Sequence, residues 1–309
     1  MAVAGDGGLI DAEGCGSINV NLHPVIPTVL ILIDRSGSMD ESFGSGTRWE
    51  AMLSALVDPT DGVIKTLEDE VVFGAALYNS NGGNAGGTCP ILLKEPPGDD
   101  DYARISALLT DTDNEPQGDT PTAESIDGVV GDFPTPDPEN PEPQILVVAT
   151  DGDPDNCVDP DAHDDTSRAM SVASVQAAFA AGIKTFALGI DDDISPGHLQ
   201  QLANAGVGVD PVTGTEPYYL ADSPEALAAA FLDIITGART CEFVIEGTVD
   251  LAQAHLGTVI LNGVNLVYGT DWTLSDENTL VLLGDACDRF LGDAAVTLFA
   301  EFPCGAVVL

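Results

Sequence analysis

The chain has 309 residues, 44% of them hydrophobic, enough for one large core and a smaller second one. Nine basic residues against 51 acidic ones leave a formal charge of −42, which excludes a phosphate backbone or an anionic bilayer as an electrostatic partner. Cations are the natural counter-charge, and with aliphatic residues this abundant the acidity describes a solvated shell rather than disorder.

Residues 1–21 are glycine-rich and non-periodic and are expected to form a tail. Residues 1–10 have neither a basic stretch nor an apolar one, so no signal peptide is read there. Val29, Leu30, Ile31, Leu32 and Ile33 then form an unbroken apolar run, as in a strand buried on both faces of a parallel sheet. It ends on Asp34-Arg35-Ser36-Gly37-Ser38, where Gly37 is expected to let the loop turn tightly. Thr47 can cap a helix whose apolar residues Trp49, Met52, Leu53, Leu56 and Val57 share a face; Asp58-Pro59 interrupts it, and Val63, Ile64 and Leu67 resume the pattern.

Residues 70–77 predict a strand, 79–88 a Gly/Asn loop, and 91–93 a short strand that completes a hairpin at one sheet edge. A helix follows over 102–109, then an acidic loop, then a helix from Pro121 to about residue 130 with Thr120 as its cap. Five prolines between 133 and 143 predict an extended connector. Residues 144–150 form a strand that runs into Thr150-Asp151-Gly152-Asp153; a helix (164–181) stopped by Gly182, a strand (183–188), a helix (196–203), a strand (218–220) and a helix capped by Ser223 (224–236) complete the series. This alternation over residues 22–238 predicts an α/β domain, a doubly wound, mostly parallel sheet with helices on both faces.

Past residue 237 helical periodicity gives way to short alternating runs at 243–248, 258–261, 264–268, 280–283 and 296–299, with Asn262-Gly263 as a hairpin signal. Residues 239–309 are expected to be a small β-domain, which at that size calls for a covalent staple.

In an open α/β sheet ligands sit beyond the carboxyl ends of the strands. Asp34, Ser36, Ser38, Thr120 and Asp151 all emerge there, two carboxylates and three hydroxyls from segments far apart in the chain. A hard divalent cation wants such oxygen ligands in a compact octahedron, Mg2+ first, with Mn2+ or Ca2+ as alternatives. Taken singly, each loop is also what turns and helix caps look like.

At these residues the chain resembles the von Willebrand factor type A domain, the Rossmann-like fold shared with integrin inserted domains. Asp34-Arg35-Ser36-Gly37-Ser38-Met39 looks like its Asp-x-Ser-x-Ser motif, Thr120-Pro121-Thr122 like its threonine loop, and Thr150-Asp151-Gly152 like its third loop. Asp119 and Ala123 stand where the family usually has glycine. The resemblance covers about residues 25–237 and implies a metal-ion-dependent adhesion site (MIDAS). Ser36, Ser38 and Thr120 would be direct neutral ligands, with Asp34 and Asp151 acting partly through water. It further implies a non-enzymatic module that captures a protein partner's carboxylate on the metal. The arrangement with a cysteine-bearing C-terminal β-module is similar to secreted bacterial proteins of the family, so an extracellular or cell-surface location is expected.

Two alternatives come from other classes. Asp151-Gly152-Asp153 resembles the opening of haloacid-dehalogenase-type enzymes, which implies a metal-dependent phosphohydrolase using Asp151, as nucleophile, and Asp153. Such an enzyme would also need a phosphate-binding lysine, and nothing in the sequence marks out Lys184 for that role. The other is a structural assembly subunit that uses the fold without metal. The four isolated histidines read as surface or satisfied residues rather than ligands, and the acidic runs at 99–101, 153–165 and 191–193, none at EF-hand spacing, as solvated loops. The six cysteines, with no Cys-x-x-Cys, predict disulfides but do not choose among the 15 connectivities. The expected fold, which brings the entry of the first strand near the end of the last helix, favours Cys15–Cys241, with Cys287–Cys304 inside the β-domain and Cys89–Cys157 across the top loops.

Overall fold

The computed structural model describes residues 17–82, 86–136, 142–160, 162–191, 193–292 and 296–308. Two compact units divide the chain: residues 27–137 with 141–238, and the segments before 27 together with those after 238.

The first unit is built on strand β1 (Thr28–Asp34), all seven residues of which are buried. It pairs in parallel with β2 (Val72–Asn79) on one side and β4 (Gln144–Thr150) on the other. β5 (Ile183–Ile190) and β6 (Tyr219–Ala221) extend the sheet beyond β4, again in parallel. β3 (Ile91–Glu95) runs antiparallel to β2 at the other edge, the expected hairpin. The order is β6-β5-β4-β1-β2-β3.

Strand side chains alternate between faces, so this sheet needs apolar residues at every position of its central strands. Val29, Ile31 and Ile33 pack in a core with helices α1 (Arg48–Val57), α2 (Val63–Leu67), α3 (Asp101–Thr110) and α7 (Pro224–Ala238). Leu30 and Leu32 enter a second core with α4 (Thr122–Val129), α5 (Asp165–Ala180) and α6 (Pro196–Gly206).

Helix α1 starts on a capping box: Glu50 N donates to Thr47 Oγ1 at 3.1 Å while Thr47 N donates to Glu50 Oε2 at 3.0 Å. Ser223 caps α7 through Ala226 N, 3.3 Å from its Oγ. Thr120 does not cap α4; that helix begins at Thr122 behind Pro121, with no side-chain cap.

The second unit holds two four-stranded antiparallel sheets. One orders Ser17–Val20, Leu298–Pro303, Thr258–Leu261 and Val264–Leu266; the other orders Trp272–Asp276, Thr279–Leu282, Glu242–Ile245 and Leu22–Pro24. Asn262 and Gly263, with φ of 49° and 77°, make the expected tight hairpin turn. Three features differ from the sequence reading. The chain at 17–24 is two strands of this unit rather than tail and domain entry, because its partners lie more than 200 residues away. Trp272–Asp276 is a strand and Gly284–Gly292 a helix, the latter carried by two buried anchors, Ala286 and Phe290, too few for a visible period. Trp272 is fully buried, edge-on to Tyr268 and Phe302 at centroid distances of 5.0 and 6.0 Å.

Cys89–Cys157 is bonded as expected. Cys241 pairs instead with Cys287, with Cα atoms 5.6 Å apart, which overturns both other expected bridges. Cys241 directly precedes strand Glu242–Ile245 and Cys287 sits on the helix packed over it, a neighbourhood created by folding and absent from the spacing. Cys304 is also disulfide-bonded, and Cys15 lies outside the described residues.

Candidate functional site

β1 and β4 are parallel neighbours in register from Thr28 opposite Gln144 to Ile33 opposite Ala149, so their carboxyl ends finish side by side. Asp34 is the last residue of β1, and Asp151 follows the last residue of β4. Both carboxylates are fully buried.

Three loops meet over this end, stitched by backbone bonds. Gly37 N donates to Gly118 O at 3.0 Å and Gln117 N to Arg35 O at 2.8 Å, joining the first loop to the threonine loop. Thr120 N donates to Asp155 Oδ2 and Asp155 N to Thr120 O, each at 2.9 Å, joining the threonine loop to the third. The glycine that the geometry requires is Gly118 rather than Gly37. Gly118 has φ of +78° and a Cβ there would lie 1.8 Å from Ser80 O, whereas a Cβ on Gly37 would meet nothing closer than 3.7 Å. Asp119, at a position where the family usually has glycine, is tied down by Ser80 Oγ at 2.9 Å.

The five residues singled out in the sequence are brought together here. Ser36 Oγ and Ser38 Oγ are 3.0 Å apart, and Ser38 Oγ donates to Asp151 Oδ1 at 3.0 Å. Asp34 Oδ1 accepts from Ser36 N at 2.8 Å, and its Oδ2 accepts from Thr150 Oγ1 at 2.6 Å and Tyr78 OH at 3.3 Å. Ser36 makes no side-chain cap to the short turn that follows it, and Thr120 is held through its main chain, so neither hydroxyl is spent on capping. Burial, then the neighbouring Asp151 charge, pushes the Asp34 carboxyl up to about 7. Burial likewise raises Asp151, against the pull of Arg48 and Ser38.

This donor set fits a small divalent cation. Adjacent corners of an octahedron with arms of about 2.1 Å are about 3.0 Å apart, the separation of the two serine hydroxyls and of Ser38 from Asp151. Among the described residues no group of three His, Cys, Asp or Glu could hold an ion, so carboxylates alone do not make a site.

Several residues of this rim escaped the sequence reading. Arg48, 3% exposed, donates through Nη1 to Asp151 Oδ2 at 2.8 Å and through Nη2 to Asp191 Oδ2 at 3.1 Å and to Asp193. The available signal was an arginine at the first position of a helix, against the dipole, in a chain with so few bases. The acidic runs are accordingly not simply solvated: Asp191 and Asp193 hold Arg48, Asp101 Oδ2 accepts from Phe73 N, Asp164 caps α5, and Asp153 binds Arg168 at 2.6 Å and Ser195 N at 3.2 Å. His198 is buried, and burial lowers it to about 4. Lys184 stands second in β5, opposite Ile145 at the start of β4 and so at the far end of the sheet from Asp151.

The von Willebrand factor type A domain profile matches residues 28–226. Comparison with curated proteins returned no match. Among solved structures, the pilus adhesin SpaC from Lactobacillus rhamnosus GG superposes with a TM-score of 0.51 at 17% identity, covering 93% of this chain and 40% of that one. This chain thus corresponds to less than half of that adhesin's length. The PilB minor pilin from Streptococcus sanguinis gives a TM-score of 0.51 at 16% identity, covering 69% of this chain and 61% of that one. The mussel byssus protein PTMP1, in a form with a zinc-occupied MIDAS motif, is a looser likeness, with a TM-score of 0.44 at 15% identity, covering 70% and 48%. These likenesses concern the fold. The profile spans well over half of the sequence, and this chain belongs to the von Willebrand factor type A domain family.

Proposed function

We propose that this chain is a metal-dependent protein-binding module that captures a partner's carboxylate through a divalent cation held by Asp34, Ser36, Ser38, Thr120 and Asp151. The observation that supports the reading is that Ser36, Ser38 and Asp151 bring hydroxyl and carboxylate oxygens from two loops, Ser38 and Asp151 lying 113 residues apart, into successive contacts of 3.0 Å, with the Thr120 loop joined to the third loop by main-chain bonds. The bound ion would supply an electrophile with an open position for an incoming Asp or Glu. Ser36, Ser38 and Thr120 are neutral donors and leave most of the ion's charge uncancelled. Thr150 and Tyr78 hold Asp34 in place, and Asp155 holds the Thr120 loop.

The α/β part, from residue 27 to 238, is proposed as the binding domain, and residues 239–309 with the strands at 17–24 as its small companion. The Cys89–Cys157 and Cys241–Cys287 disulfides and the resemblance to secreted bacterial proteins favour an extracellular or surface setting. No helix among the described residues is long and apolar enough to cross a membrane. The phosphohydrolase alternative draws no support from the site, where Asp153 is engaged by Arg168 and Lys184 stands at the other end of the sheet.

Calorimetric titration with Mn2+ and Mg2+ tests the metal. Wild type is expected to bind and Ser38→Ala to bind at least about tenfold more weakly; equal affinity would remove Ser38 from the site. Capture on immobilised acidic and amidated peptides, with and without chelator, tests the carboxylate. Capture that ignores the chelator favours the assembly subunit instead.

A kinetic expectation follows from charge. An acidic partner approaches a body of formal charge −42, so long-range steering is repulsive while the metal bond is attractive. Salt screens the first far more, because the Debye length is about 8 to 10 Å near physiological ionic strength and a metal–oxygen bond is about 2 Å. At saturating Mg2+ the association rate should rise from low to moderate sodium chloride with little change in dissociation. Surface-binding kinetics decide it; an on-rate that falls with salt means a basic partner.

A further inference from the structure

Arg48 opens α1, where a cation opposes the helix dipole, and its side chain is buried. Local structure gives no reason for it to be there; the carboxylates around it do. Its guanidinium lies on Asp151 Oδ2 at 2.8 Å, on Asp191 Oδ2 at 3.1 Å and on Asp193, with Glu41 Oε2 at 3.6 Å and the Ser38 carbonyl at 3.4 Å.

We infer that Arg48 is the resident counter-ion of the site: it holds the buried Asp151 carboxylate in place without metal and, by remaining on it, weakens the hold on a divalent cation. The inference rests on the metal-binding reading above and adds what sets the affinity. Asp151 divides its oxygens, Oδ1 towards Ser38 and Oδ2 towards Arg48, so a cation among the hydroxyls need not displace the guanidinium. The guanidinium offsets part of the negative charge that Asp151 presents to the ion, a part limited by its sharing among Asp151, Asp191 and Asp193. Affinity of oxygen sites scales with ligand charge, so the ion is held less tightly and keeps more of its charge for a partner's carboxylate. The same guanidinium fastens the loop after β5 to the rim through Asp191 and Asp193, which makes that loop part of the face around the open position.

The experiment uses the full chain with Mn2+ alone as probe. Arg48→Gln is expected to bind Mn2+ about tenfold tighter than wild type or more, since a unit charge at this range is removed. In chelator it should melt below wild type, with saturating Mn2+ narrowing the gap. Arg48→Lys keeps the charge and should bind within about threefold of wild type. Should Arg48→Gln fail to fold, the half-exposed Asp193 decides. Asp193→Asn leaves more of the guanidinium's charge uncompensated beside Asp151 and should weaken Mn2+ binding severalfold even in about 1 M sodium chloride, where the general surface field reaches only about 3 Å. A wild type that takes up no Mn2+ sinks the metal reading and this inference with it. A wild type that binds, beside a folded Arg48→Gln that binds no tighter, sinks the counter-ion alone, as does an unchanged Asp193→Asn if only that variant folds.

Discussion

Replacing Asp34 by asparagine is expected to abolish Mn2+ and Mg2+ binding and, in chelator at pH 8, to raise the thermal stability of the protein. The first effect follows from removing one of two carboxylates from a site whose other donors are neutral. The second follows from burial. Asp34 has no exposed surface, and burial, reinforced by the Asp151 charge, holds its carboxyl at about 7 against 3.8 for a free group. A carboxyl raised in the folded state contributes stability that is fully present below its unfolded pKa. That contribution is lost as pH rises through the folded value. The metal-free wild type should therefore lose stability between about pH 4 and 7, by on the order of 3 kcal/mol from this group. The asparagine variant should lack that slope.

Asparagine suits the cavity. Its oxygen can accept from Ser36 N as Asp34 Oδ1 does, and its amide can donate to the Thr150 and Tyr78 hydroxyls, which rotate to accept. Alanine does not suit it, because three donors would lose their acceptor. A strand-exit residue is expected to carry little packing, but this one is the buried end of the central strand, so Asp34→Ala should cost stability as well as metal. Calorimetry and chelated melts at pH 5 and pH 8 check both halves. An asparagine variant that binds Mn2+ normally removes Asp34 from the site. One that melts below wild type at pH 8 means that its hydrogen bonds outweigh the buried charge.

Loss of the Cys241–Cys287 bridge should destabilise the smaller unit by about 4 kcal/mol, the loop-closure entropy for the 46-residue separation. A small β-rich unit has a limited apolar core to offset that loss. Cys241 also borders the packed pair Phe243 and Phe290, whose rings meet edge-on at 4.9 Å, so the Cys241→Ser/Cys287→Ser double variant should lower the melting transition while leaving Mn2+ binding intact. Every proposed metal ligand belongs to the other unit. Differential scanning calorimetry with parallel Mn2+ titration measures both. A non-reducing peptide map should show Cys241 joined to Cys287 and Cys89 to Cys157. Free thiols at these positions would overturn the bridge and the extracytoplasmic setting together.

The sequence by itself determined the features whose cause is local. Five consecutive apolar residues had to become a strand covered on both faces, and the alternation of Val29, Ile31 and Ile33 with Leu30 and Leu32 already assigned them to opposite cores. Thr47 announced α1, and Asn262-Gly263 announced a hairpin, because capping and left-handed turns are settled within four residues. Parallel wiring then placed Asp34, Ser36, Ser38, Thr120 and Asp151 at one end of the sheet. What only the tertiary structure decided were the pairings between distant segments. Arg48 found Asp151 and Asp191, 103 and 143 residues on. Ser17–Val20 found Leu298–Pro303, and Cys241 found Cys287 rather than Cys15. Nothing within reach of these residues along the chain selects their partners. Those partners are chosen by which buried charges need a counter-charge and which apolar faces need covering, and both needs arise only once the sheets have formed.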